Sequence, residues 1–161
     1  MHDEISKAIK EYLQARSRLI EVSAKYPTEL KGNDNLIGRI GEYLALKLLR
    51  QEGRSPVKTK SLSQKGFDLE DGRKKISVKI ITSENTHGRG CRLQNDWNEF
   101  ILIYLNTSDL SGKIGFITKA QFSKALQEES RSENPIVSKS MLGEKGLFGK
   151  YGAVENVDLF L

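Results

Sequence analysis

Cysteine is nearly absent from this sequence: its 161 residues hold one, Cys91, and only two histidines, His2 and His87. One thiol closes no internal disulfide, and one thiol with two imidazoles falls short of a structural zinc site. Cys91 lies in a loop with no nameable partner and supports no nucleophile. No apolar run approaches the ~18–20 residues that a membrane span needs, so no membrane partner is expected. The start, Met1-His2-Asp3-Glu4, is acidic and leads into a helical pattern rather than a signal peptide, so the expected compartment is the cytoplasm. Phosphate-binding loops are missing as well. Glu144 stands where a G-x-x-x-x-G-K-[ST] run through Gly149-Lys150 needs its first glycine. Leu93 stands where Gly88-Arg89-Gly90 needs its third.

What is present describes a globular chain. Apolar residues make up 37% and charged residues 29%, and the length suits a single domain around one core. The net charge of +5 is unevenly placed. Residues 31–65 carry Lys31, Arg39, Lys47, Arg50, Arg54, Lys58, Lys60 and Lys65 against Asp34, Glu42 and Glu52, while every other stretch balances. A concentrated basic segment attracts polyanions, nucleic acid first among them. A solvated face kept for solubility explains the same charge equally well.

Hydrophobic spacing predicts an N-terminal helix within 1–30, with Ile5, Ile9, Tyr12, Leu13, Leu19, Ile20 and Val22 on a 3.6-residue period. A core of αβββ-ββα order is expected over 34–130, followed by a Gly/Ser-rich tail, 135–161, packing back on it. Within the core, a helix is predicted over about 35–52, ended by Gly53. Strands follow at Val57–Leu62, Gly66–Glu70 and Lys75–Thr82, the last two joined at Asp71-Gly72. Residues 83–98 read as an irregular polar loop. Phe100–Leu105 reads as a buried strand paired with Ile114–Ile117, and Thr118 with Gln121 reads as a capping box for a helix of about 118–130. The order argues an α/β fold, a mixed sheet flanked by helices.

One carboxylate breaks the pattern of the second helix. On a helical wheel Glu42 falls inside the arc of Ile37, Gly38, Gly41, Leu44, Ala45, Leu46, Leu48 and Leu49. An unpaired carboxylate there costs several kcal/mol, so Glu42 should meet a cation, a metal or donors. A rim position or a structural Lys or Arg partner would satisfy it too. Lys79 poses the same question, as a cation in the middle of a strand otherwise fit for burial. It shares a face with Ser77 and Ile81, opposite Ile76, Val78 and Ile80. Asp68, across the short hairpin, is a natural partner. Asp68, Lys79 and Glu42 together suit divalent-metal binding and water activation.

At these residues the chain resembles the PD-(D/E)xK nuclease superfamily, which includes restriction endonucleases and junction resolvases. The resemblance covers roughly 34–117 and centres on IGRIGEYLALKLL…GFDLEDGRKKISVKI. It implies a restriction-endonuclease-like fold and a Mg²⁺- or Mn²⁺-dependent endonuclease hydrolysing DNA phosphodiesters. Asp68 would bind the metal with help from the Val78 carbonyl, Glu42 would complete the shell, and Lys79 would orient the attacking water. Ser77 stands at the catalytic position where the family carries an acid, with Glu70 or Glu84 as substitutes. Both also read as ordinary residues flanking a turn and a strand end.

The loop after the lysine strand is where such nucleases place substrate contacts. His87, Arg89, Arg92 and Gln94 are therefore candidates for nucleic-acid binding, beside Arg39, Lys58, Lys60 and Lys65 of the basic segment. Trp97 reads as a packing residue with stacking on a base as the alternative. DNA is the expected partner, the basic segment fits RNA equally, and one site on a small domain suggests a homodimer. The rival reading is a lapsed nuclease fold acting as a DNA-binding or protein-interaction module.

Overall fold

Strand alternation sorts the buried side chains onto the two faces of one sheet. The computed structural model describes residues 2–25, 36–59, 66–84, 91–93, 96–132 and 135–158. In chain order these form α1 (His2–Lys25), α2 (Leu36–Gln51), β1 (Val57–Lys58), β2 (Leu69–Asp71), β3 (Lys74–Thr82) and β4 (Cys91–Arg92). After them come β5 (Glu99–Leu105), β6 (Ser111–Thr118), α3 (Lys119–Glu128), β7 (Ile136–Val137), a 3₁₀ turn (Lys139–Leu142), α4 (Leu147–Tyr151) and β8 (Ala153–Asp158). Six strands make a mixed sheet in the order β1-β2-β3-β5-β6-β8, and β4 pairs with β7 apart from it. Only the β3–β5 contact within the large sheet is parallel.

One face of the sheet packs on α1 and α2. Leu13, Ile40, Leu44, Ala45 and Leu49 meet Leu69, Ile76, Val78, Ile101, Ile103 and Ile114 there. The opposite face joins Ile81, Phe100, Leu102 and Ile117 to Phe122 and Leu126 of α3 and to Met141, Leu142, Leu147 and Phe148. The period of two that separates Ile80 from Ile81 thus assigns neighbouring residues of β3 to different layers. Gly115 makes the second layer tight: a Cβ there would lie 2.5 Å from Leu142 and 2.6 Å from Phe148.

Local chemistry sets the ends of the elements. Gly53, at φ +79°, closes α2: its N–H donates to Arg50 O at 3.0 Å and the Arg54 N–H to Leu49 O at 3.0 Å. That pair of bonds is a Schellman cap, and it aims Arg54 back at the sheet. Thr118 and Gln121 form the expected capping box of α3. Gly72, at φ +61°, supplies the positive φ of the β2–β3 turn.

Three expectations need correction. The second strand is Leu69–Asp71 rather than Gly66–Glu70, because Gly66 sits at φ +108° and the Asp68 side chain takes the place of a strand partner. The polar stretch 83–98 contains β4, which Val137 and Ile136 hold in register. Gly38, which the wheel puts in the apolar arc, is exposed with open space around its Cβ position, whereas Gly41 of the same arc lies against Ile80. Among the described residues no helix is long and apolar enough to cross a membrane.

Candidate functional site

β2 leaves β3 after three register pairs, the last joining Leu69 to Ile76. One more backbone bond follows, from Asp68 N–H to Ile76 O at 2.9 Å. Beyond it the Val78 N–H donates to Asp68 Oδ2 at 2.7 Å. A carboxylate therefore finishes the ladder that the strand abandons, satisfying an amide that would otherwise lack a partner. Strand alternation turns the Val78 N–H and C=O towards this same edge. The Asp68 C=O accepts from Thr59 N–H at 3.3 Å on its other side, which fixes β1 against the corner.

Glu42 reaches this corner through a close approach of helix to strand. A Cβ on Gly41 would lie 2.9 Å from both Cβ and Cγ2 of Ile80, so only glycine lets α2 lie this near β3. The next residue, Glu42, is half-buried, and Lys58 Nζ of β1 donates to its Oε2 at 2.8 Å. Lys58 is in register with Leu69, the neighbour of Asp68. Lys79 is half-buried on the other face of β3 from Ile80.

Three neighbouring charges act on Asp68. Burial pushes the Asp68 carboxyl above its ordinary value, against the pull of the Val78 N–H and of Lys79; the charge of Glu42 adds to the rise and Lys58 opposes it. The Asp68 carboxyl, where β2 peels off and α2 crosses, thus feels one further carboxylate and two ammonium groups. Burial with nearby charges is frequent among functional carboxylates, and structural ion pairs perturb carboxylates in the same way.

The other sequence candidates lie elsewhere. Ser77 is 2% exposed and in register with Phe100, so its hydroxyl is enclosed in the second layer. Glu70 sits in the ladder between Val57 and Lys75, towards the turn and away from Val78. Glu84 forms an ion pair with Arg16 of α1, which ties the first helix to the end of β3. Glu70 and Glu84 are thus each engaged away from the Asp68–Val78 bond. Trp97 is 4% exposed and packs edge-on against Phe122 with ring centroids 5.4 Å apart; it is a core residue.

The basic segment is partly spent within the fold. Arg54 donates to Asp71 at 2.7 Å and to Glu99 at 2.8 Å, Arg50 reaches Pro56 O, and Lys47 reaches Ser6. Lys58 holds Glu42. Arg39 is exposed on α2. Lys60, Lys65, His87, Arg89 and Gln94 lie outside the described residues, as does the side chain of Arg92. Sequence reasoning placed Lys58 on a phosphate and missed its place beside Glu42. The one available signal was the wheel position of Glu42, which called for a cation without saying which.

Among the described residues no three His, Cys, Asp or Glu side chains come together to hold a metal. Mg²⁺ asks for less than such a group: one or two carboxylates hold it, with water and substrate phosphate as its other ligands. Asp68 and Glu42 are the two carboxylates here that would hold such an ion, through the oxygen ligands a hard cation takes. No protein-family profile and no curated protein matches the chain.

Proposed function

We propose that this chain is a small restriction-endonuclease-like domain that hydrolyses DNA phosphodiester bonds with Mg²⁺ or Mn²⁺. The observation that carries the reading is Asp68, locked by the Val78 N–H at 2.7 Å and surrounded electrostatically by Lys79, Glu42 and Lys58. The order of the parts adds support: a helix bearing Glu42, a hairpin bearing Asp68, and a strand that carries Lys79 and runs parallel to β5.

The chemistry asks little of the protein beyond placement. Bound Mg²⁺ supplies Lewis-acid neutralisation of the phosphate charge. Asp68 and Glu42 provide the negative potential that holds a divalent cation at the β2–β3 fork. Lys79 positions a water for in-line attack and offsets charge as the new phosphorus–oxygen bond forms and the ester oxygen leaves. Arg39, on the outer side of α2, and the cations of 58–65 and 87–94 would contact the backbone of the nucleic acid. Cutting both strands of a duplex from one site calls for a homodimer.

A second reading has its own observation. Ser77 is buried against the core with neither Glu70 nor Glu84 in its stead, so this site holds one charge fewer than the family pattern. A fold that keeps Asp68 and Lys79 but has lost hydrolysis would serve as a DNA-binding or protein-interaction module. Purified protein incubated with supercoiled plasmid and single-stranded oligonucleotide in Mg²⁺, Mn²⁺ and EDTA separates the two. Metal-dependent cutting is the expected result. DNA retardation in a gel without cutting under any metal would establish the binding module instead.

A further inference from the structure

The Lys58–Glu42 contact has the wrong partner for a substrate-binding lysine. Its 2.8 Å bond places an ammonium group on one of the two carboxylates that would hold a divalent cation. The charge of Lys58 also acts on the other carboxylate, Asp68. The side chain is 46% exposed, and its strand is two residues long at the very edge of the sheet. Lys58 is therefore placed to let go, with solvent on one side and a four-carbon stem to swing on.

We propose that Lys58 is a resident counter-ion of the Glu42–Asp68 pair, released when a divalent cation enters and then free to contact a substrate phosphate. The inference rests on the nuclease reading above. Its physical basis is charge balance. Glu42 and Asp68 carry two negative charges, and Lys58 and Lys79 two positive ones, so the corner is neutral as it stands. A divalent cation entering with Lys58 in place would leave two uncompensated positive charges in a half-buried site, which is costly. With Lys58 withdrawn from Glu42 and one phosphodiester bound, the two carboxylates, Lys79, the cation and that phosphate sum to zero, and Lys58 is left to face a neighbouring phosphate of the substrate. Metal and nucleic acid would then strengthen each other's binding, with Lys58 as the coupling element.

Mn²⁺ titration of the protein alone, followed by electron paramagnetic resonance, tests the competition without reference to activity. Lys58→Met should bind Mn²⁺ about two- to fivefold more tightly than wild type, the scale on which a partly exposed ion pair competes, while Lys58→Arg stays at the wild-type value. Mn²⁺ binding by Lys58→Met alone would support the proposal equally. Duplex affinity tests the hand-over, with Ca²⁺ as the divalent cation and the duplex verified to stay intact. The salt dependence in Ca²⁺ should be steeper for wild type than for Lys58→Met by about one phosphate contact, and the two slopes should agree in EDTA.

Equal or weaker Mn²⁺ binding by Lys58→Met, in a protein whose Mn²⁺ binding is abolished by Asp68→Asn, overturns the role of Lys58 and leaves the nuclease reading standing. Identical slopes in Ca²⁺ overturn the hand-over. Absence of Mn²⁺ binding in every variant overturns both.

Discussion

The Asp68 carboxylate accepts the backbone N–H of Val78 at 2.7 Å, and this one bond joins the end of β2 to the middle of β3. It does two kinds of work. As structure, it caps a strand amide at a point where the ladder ends. As chemistry, it fixes one oxygen of a carboxylate on which Lys79 and Glu42 act electrostatically. The two roles respond differently to substitution.

Asp68→Ala should cost about 1–3 kcal/mol in urea unfolding, because the Val78 N–H loses its acceptor. Asp68→Asn keeps an acceptor oxygen and removes the charge, so its unfolding midpoint should equal or exceed that of wild type at neutral pH. Metal binding should be lost in both. A large loss of stability in Asp68→Asn would show that the charge, and not the acceptor, holds the fork.

The same residue predicts a pH dependence. Burial raises the Asp68 carboxyl above its ordinary value, so the folded state holds that proton more tightly than the unfolded chain. Its contribution to stability is present below the ordinary aspartate range and is lost as pH rises through the raised value. The stability of wild type relative to Asp68→Asn should therefore fall across that window. Parallel pH profiles for the two proteins would contradict it.

Glu99 predicts the opposite sign. It is held below the ordinary glutamate range by hydrogen bonds from Lys74 and Arg54 that outweigh the opposing effect of burial. Its contribution is present above the unfolded value and is lost as pH falls through the lowered one. Glu99→Gln should destabilise by about 1 kcal/mol near neutrality, with the difference from wild type closing on acidification.

Gly41 tests the approach of α2. A Cβ only 2.9 Å from Ile80 forces helix and strand apart, so Gly41→Val should cost about 1–3 kcal/mol and displace Glu42 as well. Urea unfolding together with Mn²⁺ titration reads both effects; unchanged stability would mean that Ile80 can move aside.

Ser77→Asp puts the acid of the PD-(D/E)xK pattern, which the sequence resembles, in an enclosed position. Without metal it should lower stability by several kcal/mol, the cost of a buried unpaired charge. Mg²⁺ should return part of that loss if the new carboxylate reaches the site. No response to Mg²⁺ would place residue 77 outside it.

Much of the fold was legible because periodicity and capping act locally. The apolar arc of α2, the alternation of Ile76 to Ile81, Gly53 as a helix stop and the Thr118–Gln121 box are all properties of neighbouring residues. The start of β2 was not legible, since a side chain of Asp68 doing the work of a strand backbone leaves no repeating pattern. β8 was missed for a related reason: Ala153–Asp158 is an edge strand with mostly exposed residues, and its pairing with β6 is fixed from outside the segment. At the site, Glu42, Asp68 and Lys79 could be singled out as misfits of burial and charge. Lys58 fits its own strand without conflict, so nothing local marked it.

Single-turnover cleavage by Lys79→Ala beside wild type, in saturating Mg²⁺, shows whether Lys79 acts on the reacting phosphate. Wild type should hydrolyse DNA only with metal, and the variant should be slower by about 100-fold or more, the scale of removing one group that offsets transition-state charge, with duplex binding largely retained. Hydrolysis that persists unchanged in Lys79→Ala, or that proceeds equally in EDTA, would contradict this account.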